Sequence, residues 1–295
     1  MLRTDKFTPL SKRDLNEIAP SIFATVPSPE VTNKYTHIPT VKVIDDMNLL
    51  GWYAVEAKEV KARTKGTVGY QKHLIIFRND DVVINELEAG VVRDNTSPTG
   101  LRRSDGTFAK SDSTNDVYPQ ILLTNSHDGK NAFTFTAGLF RMICENGLVI
   151  ADKELDNIKM RHMGYTFEDL QVLIKDIVTK LPLTVEAMNK MKDIQLEEQK
   201  ILDLAEELLN IRVEGTNNEY DYVEATEAVT YPQRKEDEGN GLWEVFNRTQ
   251  ENIINGNFEY RTPGGKWRQA RIIKNFKQDI EMNKKMFSKA LEYAA

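Results

Sequence analysis

An α+β fold, a small mostly antiparallel sheet with a buried helix followed by a helical C-terminal half, is predicted for this 295-residue chain by three observations. Before residue 165 the apolar residues alternate with polar ones or come in short runs bounded by turn residues, which is the pattern of strands. After residue 165 they recur at every third or fourth position, which is the pattern of helices. Between the two, residues 119–150 pass from strand-like to helix-like spacing without a spacer. The change of period divides the chain into an N-terminal arm at 1–35, an α+β core domain at 36–165 and a helical region at 166–295, with an acidic linker at 214–238 and a basic C-terminal tail.

Taken in order, Ser11 precedes a short helical pattern that Pro20 stops, and the segment to residue 36, with Pro27 and Pro29, reads as an irregular arm draped over another element. Thr40 can cap a helix with Val41, Ile44, Met47 and Leu50 on its apolar side and a stop at Gly51. Two strands follow, Trp52 to Ala62 and Tyr70 to Arg78, and Val82 to Val92 reads as a further hairpin. Residues 94–117 carry Ser, Thr, Asn, Asp and Gly with almost no apolar anchor, so a long surface loop is expected there.

Ile121 to Leu123 and the alternating Phe133 and Phe135 predict a hairpin around the turn Asn125-Ser126-His127-Asp128-Gly129. From Ala137 to Glu145 apolar residues on almost every side predict a buried helix, ended by Asn146-Gly147. A helix over Thr166 to Lys180 is interrupted by Pro182, and an apolar seam from Val185 to Ile211 predicts one helix of about 40 Å. Residues 214–238 read as a solvated acidic linker. A helix from Asn240 to Gly256 is anchored by Trp243, and Phe276, Ile280, Phe287 and Leu291 mark a terminal helix.

Composition excludes several classes of function. No run approaches the roughly 18 apolar residues of a membrane span, and the start lacks the apolar core of a signal peptide, so a cytoplasmic location is expected. The single cysteine, Cys144, excludes a disulfide framework. Phosphate-binding, dinucleotide-binding and zinc motifs are absent, so no cofactor, metal or catalytic residue is assigned. The net charge of −6 conceals an uneven distribution: residues 201–250 carry 4 basic against 12 acidic side chains, whereas 251–295 carry 9 against 5. Only the local field matters to a polyanion within a Debye length of roughly 10 Å, so the acidic total leaves nucleic acid open as a partner.

The strongest nucleic-acid signal is the tail, where Arg261, Lys266, Arg268 and Arg271 surround Trp267 beside a glycine turn. Cations bind phosphates, and an exposed aromatic ring can stack an unpaired base. The alternative is a solvated hairpin whose Trp267 packs down and whose cations offset the acidic linker. Arg102, Arg103 and Lys110 in the 94–117 loop are candidates for further phosphate contacts. Asn125, Ser126, His127 and Asp128 are either turn residues or ligand contacts. Arg141, inside the predicted buried helix, needs an anionic partner, either an internal carboxylate such as Asp128 or Glu145 or a ligand. The four histidines lie far apart in sequence; convergence of His127 and Asp128 with His37 or His162 would point to a divalent-metal site for phosphodiester hydrolysis.

The runs THIPT (36–40), LLTNSHDG (122–129), AGLFRMICENGLVI (137–150), RHMG (161–164) and GLWEVFNRTQENIINGN (241–257) lie in this order over most of the chain. They resemble the phage/plasmid-like protein family known as domain of unknown function 932. The resemblance implies a place in a prophage, phage or plasmid, without an agreed activity. The order of elements before residue 160 is also similar in outline to the core of single-strand annealing recombinases, which assemble into rings or filaments and hold single strands in a basic groove without a catalytic residue. The expectation is therefore a nucleic-acid-binding accessory of a mobile element, binding single-stranded DNA as a homo-oligomer and without a membrane. Two alternatives stand beside it: a module that binds a host or phage protein, such as an inhibitor of host defence, and a metal-dependent enzyme on nucleic acid.

Overall fold

A computed structural model describes residues 8–32, 35–62, 64–79, 91–93, 101–103, 117–141, 147–149, 165–213, 222–262 and 264–295. The chain falls into two compact units, Met1–Gly147 with Asp152–Pro182, and Leu148–Ala151 with Leu183–Ala295.

The first unit begins with α1 (Lys12–Ile18), started by Ser11, whose hydroxyl accepts from the Asp14 amide while the Asp14 carboxylate accepts from the Ser11 amide. Pro20 then opens a single 3-10 turn, Pro20–Phe23. Helix α2 (Thr40–Leu49) buries Ile44 and Met47 as predicted and Val43 besides, whereas Val41 and Leu50 are only partly buried, and Thr40 does not cap it. Pro39 occupies the cap position, and the Thr40 hydroxyl is drawn into a buried polar cluster instead.

Strands β1 (Tyr53–Glu59), β2 (His73–Arg78), β5 (Val117–Asn125) and β6 (Thr134–Arg141) lie side by side in that order, each antiparallel to its neighbour. Every residue of β2 is buried, as its near-continuous apolar sequence requires. The short β3 (Val91–Arg93) and β4 (Leu101–Arg103) pair with each other, so the segment read as one long loop carries a strand. A further short strand, β7, spans Gly147–Val149. The core of this unit gathers Trp52, Phe77, Phe133 and Phe135 with Val43 and Met47 of α2 and Leu170 and Ile177 of a later helix. Each such side chain contributes roughly 1.5–3 kcal/mol on burial.

The buried helix expected over Ala137 to Glu145 is corrected. Strand β6 continues through Arg141, in unbroken register from Thr124↔Thr134 to Val117↔Arg141. The alternation that starts at Phe133 runs on, and Gly138 is a poor helix former, so pairing with the preceding strand overrides the apolar run. Arg141 therefore lies at the end of the hairpin remote from the turn, about seven residues or roughly 23 Å of strand from Thr134. That separation rules out the expected ion pair with Asp128.

Helix α3 (Phe167–Lys192) runs through Pro182, where an interruption was expected. The proline costs about 3 kcal/mol in a helix interior, and the apolar positions on either side, Leu170, Leu173 and Ile177 before it and Met188 and Met191 after it, are all buried and hold the helix together. The predicted 40 Å helix breaks instead at residues 193–197. There Leu196 donates to the Asn240 carbonyl at 2.8 Å and Leu242 donates to that of Ile194 at 2.9 Å, so this piece of chain trades helical bonds for bonds with a distant segment. The remainder is α4 (Glu198–Val213).

The second unit packs α4, α5 (Tyr222–Thr230), α6 (Leu242–Asn255) and α7 (Phe276–Glu292) around one another. Helix α6 is buried on all sides, and Gly256 closes it in the left-handed conformation at φ 75°. Leu242, Val245, Phe246 and Ile253 form its apolar face, and Phe246 meets Phe287 edge-on at 5.9 Å. Most of its polar face is bonded internally, while Arg248 Nε and Thr249 Oγ1 are buried without a hydrogen-bond partner among the described residues. Glu251 accepts both forks of the Arg234 guanidinium, Arg248 donates to the carbonyls of Asp237 and Gly239, and Asn252 donates to those of Val229 and Tyr231. From residue 222 onward the predicted linker is thus a helix and a fastened turn, because Ala225 and Val229 bury one side and Arg234 pairs with the buried Asp237. Among the described residues no helix is long and apolar enough to cross a membrane.

Candidate functional site

Two places in the described structure concentrate polar chemistry, one in each unit. The first surrounds the turn that follows β5. Antiparallel register sets His73 opposite both Glu59 and Asn125, and the tight turn brings His127 back beside them. The His127 ring centre lies 4.7 Å from that of His37 and 5.3 Å from that of His73. Three of the four histidines therefore converge, although their sequence numbers span 90 positions; His162 lies outside the described residues.

The hydrogen bonds fix the protons in this cluster. The Gln71 carbonyl can only accept, so His73 Nδ1, 3.1 Å away, carries the proton of the neutral ring and is approached by Ser21 Oγ at 2.9 Å as well. His73 Nε2 is then an acceptor, and the Thr40 hydroxyl donates to it at 2.9 Å. With its only proton spent, Thr40 Oγ1 accepts from Asn125 Nδ2 at 3.0 Å and from His127 Nε2 at 3.3 Å. Burial pushes the His73 pKa down to about 4, partly countered by its bond to the Gln71 carbonyl.

The turn itself is tied from both directions. Asp128 accepts from Ser126 Oγ at 2.8 Å and from the Lys130 amide at 3.0 Å, and Gly129 takes φ 71°. Tyr35 from the arm donates to the Ser126 carbonyl at 2.9 Å, and burial together with the Asp128 carboxylate pushes its hydroxyl up to about 12. The Ser28 amide donates to the His127 carbonyl. Asn125, Ser126, His127 and Asp128 are thus brought together, and they fasten the arm and the start of α2 to the sheet. The convergence expected to favour a metal is directed at Thr40: the Nε2 atoms of His73 and His127 both face its hydroxyl. Among the described residues no group of three or more His, Cys, Asp or Glu side chains is placed to hold a metal ion.

The second place is the hairpin of β8 (Glu259–Arg261) and β9 (Trp267–Gln269), which leaves α6 immediately after Gly256. Arg261 stands opposite Trp267, and Tyr260 opposite Arg268. Thr262 and Gly265, at φ 77°, build the turn. The base is held down by buried Phe258 and Ala270, whose backbones bond at 2.8 Å, and a Cβ on Gly256 would come within 2.7 Å of the Ala270 carbonyl carbon, so only glycine fits there. Trp267 does not pack down: it is 46% exposed. Arg261, Lys266, Arg268 and Arg271 are all exposed, and none of them is in an ion pair among the described residues.

Of the loop candidates, Arg102 and Arg103 lie in β4, where their backbones pair with Val92 and Val91, and Lys110 lies outside the described residues. Arg141 is on β6, away from the turn. Sequence reading missed the parts played by Thr40, Ser21 and Tyr35, which come from segments 85 or more positions distant from the turn. The signal available was that THIPT and LLTNSHDG are both among the characteristic runs.

A family model described as "Domain of unknown function (DUF932)" matches residues 29–287. The chain is similar to two Escherichia coli (strain K12) proteins, UPF0380 protein YafZ at 24% identity and UPF0380 protein YfjQ at 23%. Each alignment covers 97% of this chain and 92% of the relative. No solved structure matches the chain.

Proposed function

This chain belongs to the DUF932 family, and on that premise we propose that it is a nucleic-acid-binding accessory protein of a phage or plasmid, working in the cytoplasm on single-stranded DNA during replication or recombination. The observation that carries this reading is the β8–β9 hairpin. It holds an exposed tryptophan and three exposed cations, with Arg271 just past it, all free of ion pairs among the described residues, in a stretch with a local balance of 9 basic against 5 acidic side chains. A cation already paired to a carboxylate gains little from a phosphate, whereas an unpaired one releases a condensed counterion from the nucleic acid. The turn at Asn125–Asp128 offers no comparable surface, since its histidine is buried and Asp128 would repel phosphate.

The test is fluorescence anisotropy of a labelled single strand at about 50 and 200 mM salt, where six phosphate contacts would change affinity by about three-hundredfold. Replacing Lys266, Arg268 and Arg271 together with alanine lowers affinity for all sequences and flattens the log–log salt slope by up to about three units. Arg102, Arg103 and Lys110 act in the same direction and more weakly. If the wild-type protein shows no salt-sensitive binding to single or double strands, the reading fails, and binding to a host or phage protein takes first place.

A further inference from the structure

We propose that Trp267 and Arg261 form a stacking site for one unpaired base, at the head of a linear phosphate track that continues through Arg271 to Lys274. This rests on the nucleic-acid reading above and names what the hairpin takes: an unpaired strand, not a duplex. The two residues are direct cross-strand partners, so their side chains leave the same face with Cβ atoms about 4.5–5.5 Å apart. That spacing puts a planar apolar ring beside a guanidinium. A base laid on the indole then leaves its own phosphate within reach of the cation.

The opposite face is anchored. Phe258 and Ala270, which share the parity of Tyr260 and Arg268, are buried and fasten that face at the base of the ribbon, where Arg268 emerges only towards the turn; Arg261 and Trp267 on the other face are both exposed. Past β9 the chain does not drift. Ala270, Ile273 and Phe276 are buried, the Ile273 amide donates to the Ile254 carbonyl at 3.0 Å, and Arg212 donates to the Arg271 carbonyl at 2.8 Å. Arg271 and Lys274 are exposed between these anchors, on a fixed path. From Trp267 to Lys274 the chain spans at most roughly 25 Å, which suits the low end of the 4 to 16 nucleotides that a single-strand module covers. A duplex offers phosphates to the same cations, but both faces of each internal base are occupied by its neighbours, so the indole goes unused.

The chain carries its own probe. Trp52 and Trp243 are 1% and 4% exposed, so of the three tryptophans only Trp267 can be quenched by contact with a base. Titrating the full chain with oligo(dT) while following both anisotropy of the labelled strand and tryptophan emission separates binding from stacking. Quenching saturating in step with anisotropy is expected, with a blunt duplex of equal charge quenching little. Trp267→Phe should bind but lose the quenching. Trp267→Ala should weaken binding about tenfold with an unchanged salt slope, and Arg261→Ala should weaken it and reduce the slope by about one. Circular dichroism of each variant confirms that these exposed substitutions leave the fold intact. Salt-sensitive binding without quenching, or equal quenching by duplex, overturns the stacking site and leaves the nucleic-acid reading standing. Absence of any salt-sensitive binding overturns both.

Discussion

Acidification should unlock the first unit through His73, and the size of the effect follows from its surroundings. The ring is fully buried, with its two nitrogens bonded to Ser21 and Thr40, and burial lowers its pKa to about 4 from the ordinary 6.5. Above pH 6.5 the ring is neutral in both folded and unfolded chains and the folded state has its full stability. As pH drops below 6.5 the unfolded chain takes up a proton that the folded one refuses, so stability is lost progressively until about pH 4. At 1.36 kcal/mol per unit the loss is about 1.4 kcal/mol at pH 5.5 and about 2.5 kcal/mol at pH 4.5. The assay is urea unfolding at pH 7.5, 6.5, 5.5 and 4.5 for the wild-type chain and for His73→Gln. The variant is less stable at neutral pH but lacks this titration, so the gap between the two should shrink by about 2.5 kcal/mol towards pH 4.5. Carboxylate effects are common to both and cancel. A gap that stays constant with pH refutes the reasoning.

Four other outcomes can be checked. Arg234→Ala removes the guanidinium that the buried Glu251 and Asp237 carboxylates share and should cost about 3–5 kcal/mol in equilibrium unfolding. Gly129→Ala forces a side chain into φ 71° with its Cβ 3.0 Å from Val31 Cγ1, and a loss of about 1–2 kcal/mol should appear as a lower Tm. Gly256→Ala meets backbone at 2.7 Å and should cost more, above about 2 kcal/mol, while loosening the hairpin enough to weaken strand binding. If the chain coats single strands as a homo-oligomer, isotherms on long oligonucleotides should be steeper than on short ones, and identical curves would argue for independent monomers.

What the sequence disclosed follows physical locality. The helix that follows Ser11, the stop at Gly256 and the hairpin around residues 125–129 each depend on a few neighbouring residues, and all three are where the pattern puts them. The basic hairpin was legible for the same reason, as a cluster of cations about a glycine turn. The run from Ala137 was misread because a short apolar run suits a buried helix and a buried strand equally, and only a partner strand decides. Pro182 was misread because packing on both sides of it outweighs a local penalty. The histidine cluster was the least legible feature: His37, His73 and His127 come from the segment leading into α2, a strand and a turn, and nothing in their spacing shows that one threonine hydroxyl joins two of them.

Helix α6 and the hairpin are consecutive in the chain, yet they stand at opposite ends of a scale of mechanical compliance. Amides in the middle of α6 can exchange with solvent only when the second unit opens as a whole, since apolar packing and the Arg234, Arg248 and Asn252 bonds hold the helix all round. Amides of Arg268 and Gln269, about twenty positions later, sit on an exposed two-stranded ribbon and should exchange within the local fraying of that ribbon. A load applied to the hairpin is therefore shared between Gly256, which joins its first strand to α6, and the buried Ala270 and Ile273, which tie its second strand to Phe258 and Ile254. The hairpin can bend without the helix unwinding, and tension is carried into the body of the unit before it is felt as unfolding.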